Sequence, residues 1–212
     1  MNMFDIAPGE TELERGGYVK GVAVALVTQN KDPEGQHRVR VKFPWHDNSQ
    51  ESYWARIAVP MAGKDRGMAF LPEVGDEVLV AFEREDIRFP FVVGSLWNGV
   101  DQPPEANSDG KNDKRVIKSR KGHRLLFDDG AKGLIQLELQ DKKKVSIDDD
   151  GIRVDDAKGN SISIQSASGA IAIEAKGALT LKGTTISIEA SGSLQLKSSA
   201  TLSIRGSLVN IN

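Results

Sequence analysis

The residues able to do chemistry are few. Three histidines, His37, His46 and His123, stand apart in the chain. None shares metal-ligand spacing with another histidine, and none lies beside a plausible nucleophile and acid, so structural or solvent roles are expected for all three. The run Asp148-Asp149-Asp150-Gly151 offers the oxygen ligands of a calcium site. It lacks both the EF-hand spacing and the glycine-rich nonapeptide repeat, and it reads as a solvated turn, as does Asp128-Asp129-Gly130. Glu83, Glu85 and Asp86 hold carboxylates in one loop, but no substrate groove can be argued around them as a hydrolase pair. Phe43, Trp45, Tyr53 and Trp54, beside Arg38, Arg40 and Lys42, have the composition of a stacking platform for single-stranded nucleic acid. The three basic residues alternate with apolar ones, which makes a solvated or protein-contacting face the expected use. The chain has no cysteine, which excludes disulfides, thiolate metal sites and cysteine nucleophiles. No catalytic residue, metal ligand or cofactor site is therefore expected.

Composition sets the frame in which these residues sit. The 212 residues are 39% hydrophobic and 27% charged, with a net charge of −2, as in a soluble chain of one or two domains. That charge is ill suited to a polyanion, so no nucleic-acid partner is expected. Met1 to Gly17 is polar and acidic, unlike a signal peptide, and no stretch approaches the roughly 20 apolar residues of a membrane-spanning helix. Apolar and polar residues alternate over most of the chain, with Gly, Ser and Asp as punctuation, which is an all-β pattern.

Residues 18–100 contain five strand-like runs: Val22 to Val27, Arg38 to Trp45, Tyr53 to Gly63, Pro72 to Glu83 and Pro90 to Leu96. In the second, Val39, Val41 and Phe43 share a face opposite Arg38, Arg40 and Lys42. In the third, Ile57, Val59 and Met61 are placed on one face; in the fourth, Val78, Val80 and Phe82 follow a break at Gly75-Asp76. Five strands in so short a segment fit an OB-like closed barrel. The strings YWARIAVPMAG (53–63), PEVGDEVLVAFE (72–83) and GSLWNG (94–99), in this order and spacing, resemble the OB domain of VgrG proteins and of phage baseplate assembly protein V. SRKGHRLLFDD (119–129) is similar to the segment that follows the barrel in those families. Between them, Asn98 to Lys114 is rich in Pro, Gly, Asn and Asp and reads as a linker, too short to hold the cell-wall hydrolase that the family sometimes inserts there. The expected domains are an arm (1–17), a barrel (18–100), a linker (101–118) and a β-helix (119–212).

From Leu137 onward one unit recurs, two apolar residues flanking a small or polar one. The copies are Leu137-Glu138-Leu139, Val145-Ser146-Ile147, Ile152-Arg153-Val154, Ile162-Ser163-Ile164, Ile171-Ala172-Ile173, Leu179-Thr180-Leu181, Ile186-Ser187-Ile188, Leu194-Gln195-Leu196, Leu202-Ser203-Ile204 and Val209-Asn210-Ile211. Their starts are 7 to 10 residues apart, an approximate octad. Two apolar side chains per short strand bury too little to offset the conformational entropy of one chain. The pattern makes sense if several copies wind together, each strand pairing with one from another chain, with the apolar pairs on a shared axis. A single-chain β-solenoid of three octads per coil is the alternative. In the wound assembly the core is expected at Ile162, Ile164, Ile171, Ile173, Leu179, Leu181, Ile186, Ile188, Leu194, Leu196, Leu202 and Ile204. The residues that follow successive pairs, Glu174, Lys182, Glu189, Lys197 and Arg205, are expected to form an interchain charge ladder on the outside.

The resemblance implies an intertwined trimeric β-helix and a mechanical role: the central spike of a phage tail or related bacterial injection machine, assembled in the bacterial cytoplasm. It would pierce a target envelope on firing without spanning it. The barrel would seat on a hub ring; with about 17 residues before it, the hub is expected to be a separate protein, and the length favours a stand-alone phage-type spike. Some family spikes close their tip with a metal held by a C-terminal histidine pair, but no histidine follows His123. The other implied partner is a PAAR-type tip protein, expected on Leu208, Val209, Asn210, Ile211 and Asn212. The alternative function is an OB-type binding module for nucleic acid or glycan with a trimerising tail. The purified protein is expected to leave a peptidoglycan suspension turbid over hours; clearing would place an acid–base pair in this chain.

Overall fold

The structure is a computed structural model, and it describes residues 17–46 and 50–211. The chain divides between Asn112 and Asp113 into two compact units. The expected N-terminal arm lies outside the described residues except for Gly17.

The first unit is built on strands β1 (Val22–Gln29), β2 (Arg40–Lys42), β3 (Arg56–Ile57), β4 (Ala62–Gly63), β5 (Arg66–Gly67), β6 (Glu77–Phe82) and β7 (Pro90–Ser95). Five form one sheet in the order β2-β1-β6-β7-β3, antiparallel throughout except for the parallel pair β3–β7. A bridge between Val39 and Ala55 joins the two ends: the Val39 N–H donates to the Ala55 carbonyl at 3.0 Å, and the Ala55 N–H returns the bond at 2.7 Å. The sheet is thereby closed, so the five strands leave no free lateral edge between β2 and β3. This is the OB order of strands.

Period-2 alternation fills the barrel. Ala23, Ala25 and Val27 of β1 point inward while Val22, Val24 and Leu26 are exposed. Val39, Val41, Phe43, Ala55, Val78, Val80, Phe82 and Val92 complete the core, with the Phe43 and Phe82 rings 5.5 Å apart. The inward faces expected for the second and fourth runs are those observed. The third run differs: after Arg56–Ile57 the chain leaves the sheet, and Ala62–Gly63 pairs with Arg66–Gly67 in a separate hairpin, with Met61 half exposed. Pro60 breaks the alternation there, because proline has no N–H for the ladder. Gly67 is obligatory in that hairpin: at φ 151° its backbone passes the Met61 carbonyl so closely that a Cβ would stand 2.6 Å from the oxygen.

The loop between β1 and β2 is held by one carboxylate. Asp32 accepts from the N–H groups of Glu34 (3.0 Å), Gln36 (2.9 Å) and Arg38 (3.3 Å), and from the Arg38 guanidinium at Nε (2.9 Å) and Nη2 (2.8 Å). The Arg38 guanidinium, aided by those N–H donors, holds the Asp32 carboxyl well below the usual carboxylate range.

The second unit is a seven-stranded antiparallel meander: β8 (Lys114–Lys118), β9 (Arg124–Asp128), β10 (Leu134–Glu138), β11 (Lys144–Asp148), β12 (Gly151–Asp155), β13 (Ser161–Gln165) and β14 (Ile171–Glu174). Each strand pairs with the next in the same chain, which corrects the expectation that every strand pairs between chains: through Glu174 short hairpins bring sequence neighbours together first. β8 also occupies the last five residues of the stretch read as a linker. The acidic run is a turn, as expected: Asp148 Oδ1 accepts from the N–H groups of Asp150 (2.9 Å) and Gly151 (3.0 Å). Among the described residues, no strand is formed beyond Glu174.

Asp32 has its pKa lowered on folding, so the stability it contributes is present above the ordinary carboxylate pKa of about 3.9 and is lost as pH falls through and below that value. Thermal melts are expected to fall between pH 5 and 2, and Asp32→Asn is expected to flatten that slope while lowering stability at pH 7.

Candidate assembly interface

The registers of the meander assemble its side chains into rows. On one face, Phe127, Ile135, Ile147, Ile152, Ile164 and Ile171 stand opposite one another across successive strands. Beside them runs a second row, Ile117, Leu125, Leu137, Val145, Val154, Ile162 and Ile173. With strands about 4.8 Å apart, this is a stripe roughly 30 Å long and two side chains wide. Most of it is open to solvent within one chain: Ile135 is 47% exposed, Ile147 48% and Ile171 69%. Finishing the burial of these residues would contribute on the order of 10 kcal/mol per chain before the cost of association.

The opposite face is polar at its borders, and Leu126 and Ser146 are buried in its middle row. One border carries Arg124, Glu138, Lys144 and Asp155 in direct cross-strand succession, so opposite charges alternate down the sheet. Lys142, at 2.8 Å, lowers the Glu138 pKa, and Arg124 and Lys144 add to the effect. At the foot of this border Asp156 is lowered to about 2 by the Asn160 side-chain amide and by the backbone N–H groups of Asn160 and Lys158. The stripe is therefore the face left without partners, while the other is finished with charge pairs and solvent.

Of the expected core residues, the structure brings Ile162, Ile164, Ile171 and Ile173 together on the stripe. Leu179, Leu181, Ile186, Ile188, Leu194, Leu196, Leu202 and Ile204 continue the repeat and are all exposed in the single chain. The repeat also begins earlier than expected. The pair on β10 is Ile135 and Leu137, not Leu137 and Leu139, and β8 and β9 contribute Ile117, Leu125 and Phe127. The apolar run Leu125-Leu126-Phe127 hid its alternation; the missed signal was the 10-residue step from Leu125 to Ile135 to Val145. At the C-terminal end Leu208 and Ile211 are exposed, whereas Asn212 lies outside the described residues.

The other candidates resolve into structure. Phe43 belongs to the barrel core, and Trp45 stacks on it at 5.1 Å. Trp54 lies under Arg38 and Arg40, at 5.9 and 5.1 Å, and those arginines are paired with Asp32 and Glu51. Three aromatics and two cations of the presumed stacking platform are thus engaged within the chain. His123 accepts at Nδ1 from the Gln140 N–H at 3.2 Å, and His46 contacts Gln50 at 3.2 Å. His37 has a left-handed backbone, φ 56°, and lines a depression of about 870 Å³ beside the β4–β5 hairpin, with Asp65 the one carboxylate in that lining. Among the described residues no group of three or more His, Asp or Glu could hold a metal ion. Among the described residues, no helix is long and apolar enough to cross a membrane.

Comparison with known proteins agrees with both units. Residues 23–97 match the type VI secretion system/phage-baseplate injector OB domain, and residues 114–180 match the phage baseplate V C-terminal trimerisation domain. The chain is 29% identical over 162 residues to the actin cross-linking toxin VgrG1 of Vibrio cholerae, which covers 67% of the chain and 14% of that protein. It is 32% identical over 112 residues to the type VI secretion system spike protein VgrG3 of Vibrio cholerae, covering 48% of the chain and 11% of the relative. Against the spike protein VgrG1a of Pseudomonas aeruginosa it is 36% identical over 94 residues, 41% of the chain and 15% of the relative. The matched part is thus about a seventh or less of these relatives' length. Val154 is 42% exposed within one chain, so Val154→Asp is expected to leave the β-sheet circular dichroism intact and to reduce the native mass from three chains toward one, because a carboxylate on a shared apolar axis costs several kcal/mol per chain.

Proposed function

This chain belongs to the VgrG and phage baseplate assembly protein V family, and we propose that it is the non-enzymatic central spike of a contractile injection machine. The observation that carries this is the apolar stripe. It is two side chains wide, it is largely exposed among the described residues, and its repeat runs on to Ile211. A two-residue-wide face is suited to a threefold prism, in which three stripes meet on a narrow axis and each polar face turns outward. A broad sandwich would need a wider apolar face. The trimerisation domain over 114–180 coincides with the stripe.

In the assembled machine the barrel seats on a hub ring, and the β-helix points away from it toward the target envelope. Sheath contraction drives the spike through that envelope. The piercing itself needs stiffness and no reacting group, and cross-strand hydrogen bonds along every layer supply stiffness. The tip protein is of the PAAR type, one per trimer, docked on Leu208 to Asn212 of the three chains, where exposed Leu208 and Ile211 leave apolar surface to cover. The machine is assembled in the bacterial cytoplasm. The nucleic-acid or glycan reading is disfavoured by the engaged Trp54, Arg38 and Arg40.

Sedimentation under native conditions is expected to give three times the 23.0 kDa chain mass. Deleting residues 207–212 is then expected to lower co-purification of a co-expressed PAAR-type protein at least tenfold while the trimer persists. A monomer would sink the spike, and undiminished capture would place the tip protein elsewhere.

A further inference from the structure

The turns of the second unit sort by charge. Because the meander is antiparallel throughout, its turns fall alternately at the two ends of the strands. One edge of the sheet carries residues 119–123, 139–143 and 156–160; the other carries 129–133, 149–150 and 166–170. The first edge holds Arg120, Lys121, Lys142, Lys143 and Lys158 against Asp141 and Asp156. The second holds Asp129, Asp149 and Asp150 against Lys132, and Asp128 and Asp148 end the strands beside them. The minority charges are engaged inside their own turns. Asp156 Oδ1 accepts the N–H groups of Lys158 (2.8 Å) and Asn160 (2.9 Å), and Asp141 accepts from Lys143. Lys132 donates to Asp150 at 3.1 Å, which raises the lysine's pKa, and Asp148 and Asp149 add to the effect. The chain leaving β14 adds one more base to the first edge: the Lys176 N–H donates to Asn160 Oδ1 at 2.9 Å, beside the turn that carries Lys158. Lys121, Lys142 and Lys158 are exposed on one side, and Asp129, Asp149 and Asp150 on the other.

Spacing lets these edges mesh. A turn recurs on each edge at every second strand, roughly 9.6 Å apart, and the two series are offset by one strand, about 4.8 Å. A closed threefold ring has no rise along its axis, and each copy presents one edge to the neighbour on its left and the other edge to the neighbour on its right. With the stripes on the axis, the turn 139–143 of one copy stands level with the gap between the turns 129–133 and 149–150 of the next. The turn 119–123 likewise stands level with Asp113 and Asp128. Base therefore enters between acids at each level. An edge set against the same edge of another copy would bring like charges together, which is destabilising.

We infer that the two turn edges of the meander are a matched contact between copies of this chain, in which the basic turns of one copy seat between the acidic turns of the next. Lys142 and Lys143 of one copy meet Asp129, Asp149 and Asp150 of its neighbour, and Arg120 and Lys121 meet Asp113 and Asp128. The exposed pairs seen within one chain, Lys142 with Glu138 and Lys132 with Asp150, hold these side chains only weakly and are free to exchange partners. This rests on the trimeric reading above and deepens it. The apolar stripe supplies attraction between any two copies, whereas the edges fix which side of one copy meets which side of the next, and at what height.

The test treats the full-length wild type, dilute and in low salt, with a carbodiimide, which joins a lysine amine to a carboxylate as an amide with no spacer. Lys143 and Asp149 flank opposite ends of β11, roughly 20 Å apart along the strand, so an amide between them must join two chains. Lys132 with Asp150, 3.1 Å apart on the same edge, is the within-chain control. Covalent dimers and trimers are expected on a denaturing gel, and peptide mass spectrometry is expected to find Lys142 or Lys143 joined to Asp129, Asp149 or Asp150. Charge reversal is the second arm, read by thermal melts of the trimer. Lys142→Glu with Lys143→Glu, and Asp149→Lys with Asp150→Lys, are each expected to lower the melting temperature. The variant carrying all four is expected to recover at least half of the loss, because exchanged edges still match. A trimer that yields only same-edge amides, or a fourfold variant that melts no higher than either parent, overturns the edge contact. A wild type that sediments as a monomer overturns the trimeric reading instead.

Discussion

A stripe two side chains wide, too narrow to be a sandwich core and too long to be left wet, governs the second unit of this protein. Exposed apolar residues scattered singly cost little, but thirteen of them aligned in two adjacent rows form a surface that must find a partner. Because the face has no room to bend onto itself, the partner is another copy. The rest of the unit follows from keeping that stripe straight. Hairpins are short so that rows stay in register, and Gly151 stands where any Cβ would meet the Ile164 carbonyl oxygen at 1.9 Å. A residue other than glycine at this φ of 148° would push β12 and β13 apart and break both rows.

The two units solve the edge problem of β-structure in different ways. The barrel closes on itself, and the reciprocal bonds between Val39 and Ala55 remove the edge that β2 and β3 would otherwise expose. Its core is self-sufficient, with Val39, Val41, Val78 and Val80 fully buried in one chain. The meander stays open at β8 and β14 and keeps its apolar face outward, so its stability belongs to the assembly and varies with concentration. Charge handles specificity along the border: Arg124, Glu138, Lys144 and Asp155 match only in the observed register, and a slip by one residue would bring the apolar rows to the solvent side.

In the barrel, Asp32 is tied into a loop by three backbone donors and the Arg38 guanidinium, and its perturbed ionisation is structural. Trp54 has the same standing, an aromatic face covered by arginines of its own chain.

Periodicity alone determined the all-β class, the inward faces of the second and fourth barrel strands, and the apolar pairs from Val145 to Ile173, because a strand's two faces are written in alternate residues. The same alternation could not say who pairs with whom. Ile152 opposite Ile147 and Ile162 opposite Val154 look the same in sequence whether the neighbour is the same chain or another, and only the tertiary structure decided that pairing stays within the chain to Glu174. It also decided where alternation misleads: at Pro60, which ends a run that reads as continuous, and at Leu125-Leu126-Phe127, where three apolar residues conceal a strand with Leu126 on the closed side and its neighbours on the stripe. Alternation records which way a side chain points; closure of the barrel, the end of the meander and the path of Lys176 past Asn160 depend on backbone groups, which every residue carries alike and no sequence pattern displays.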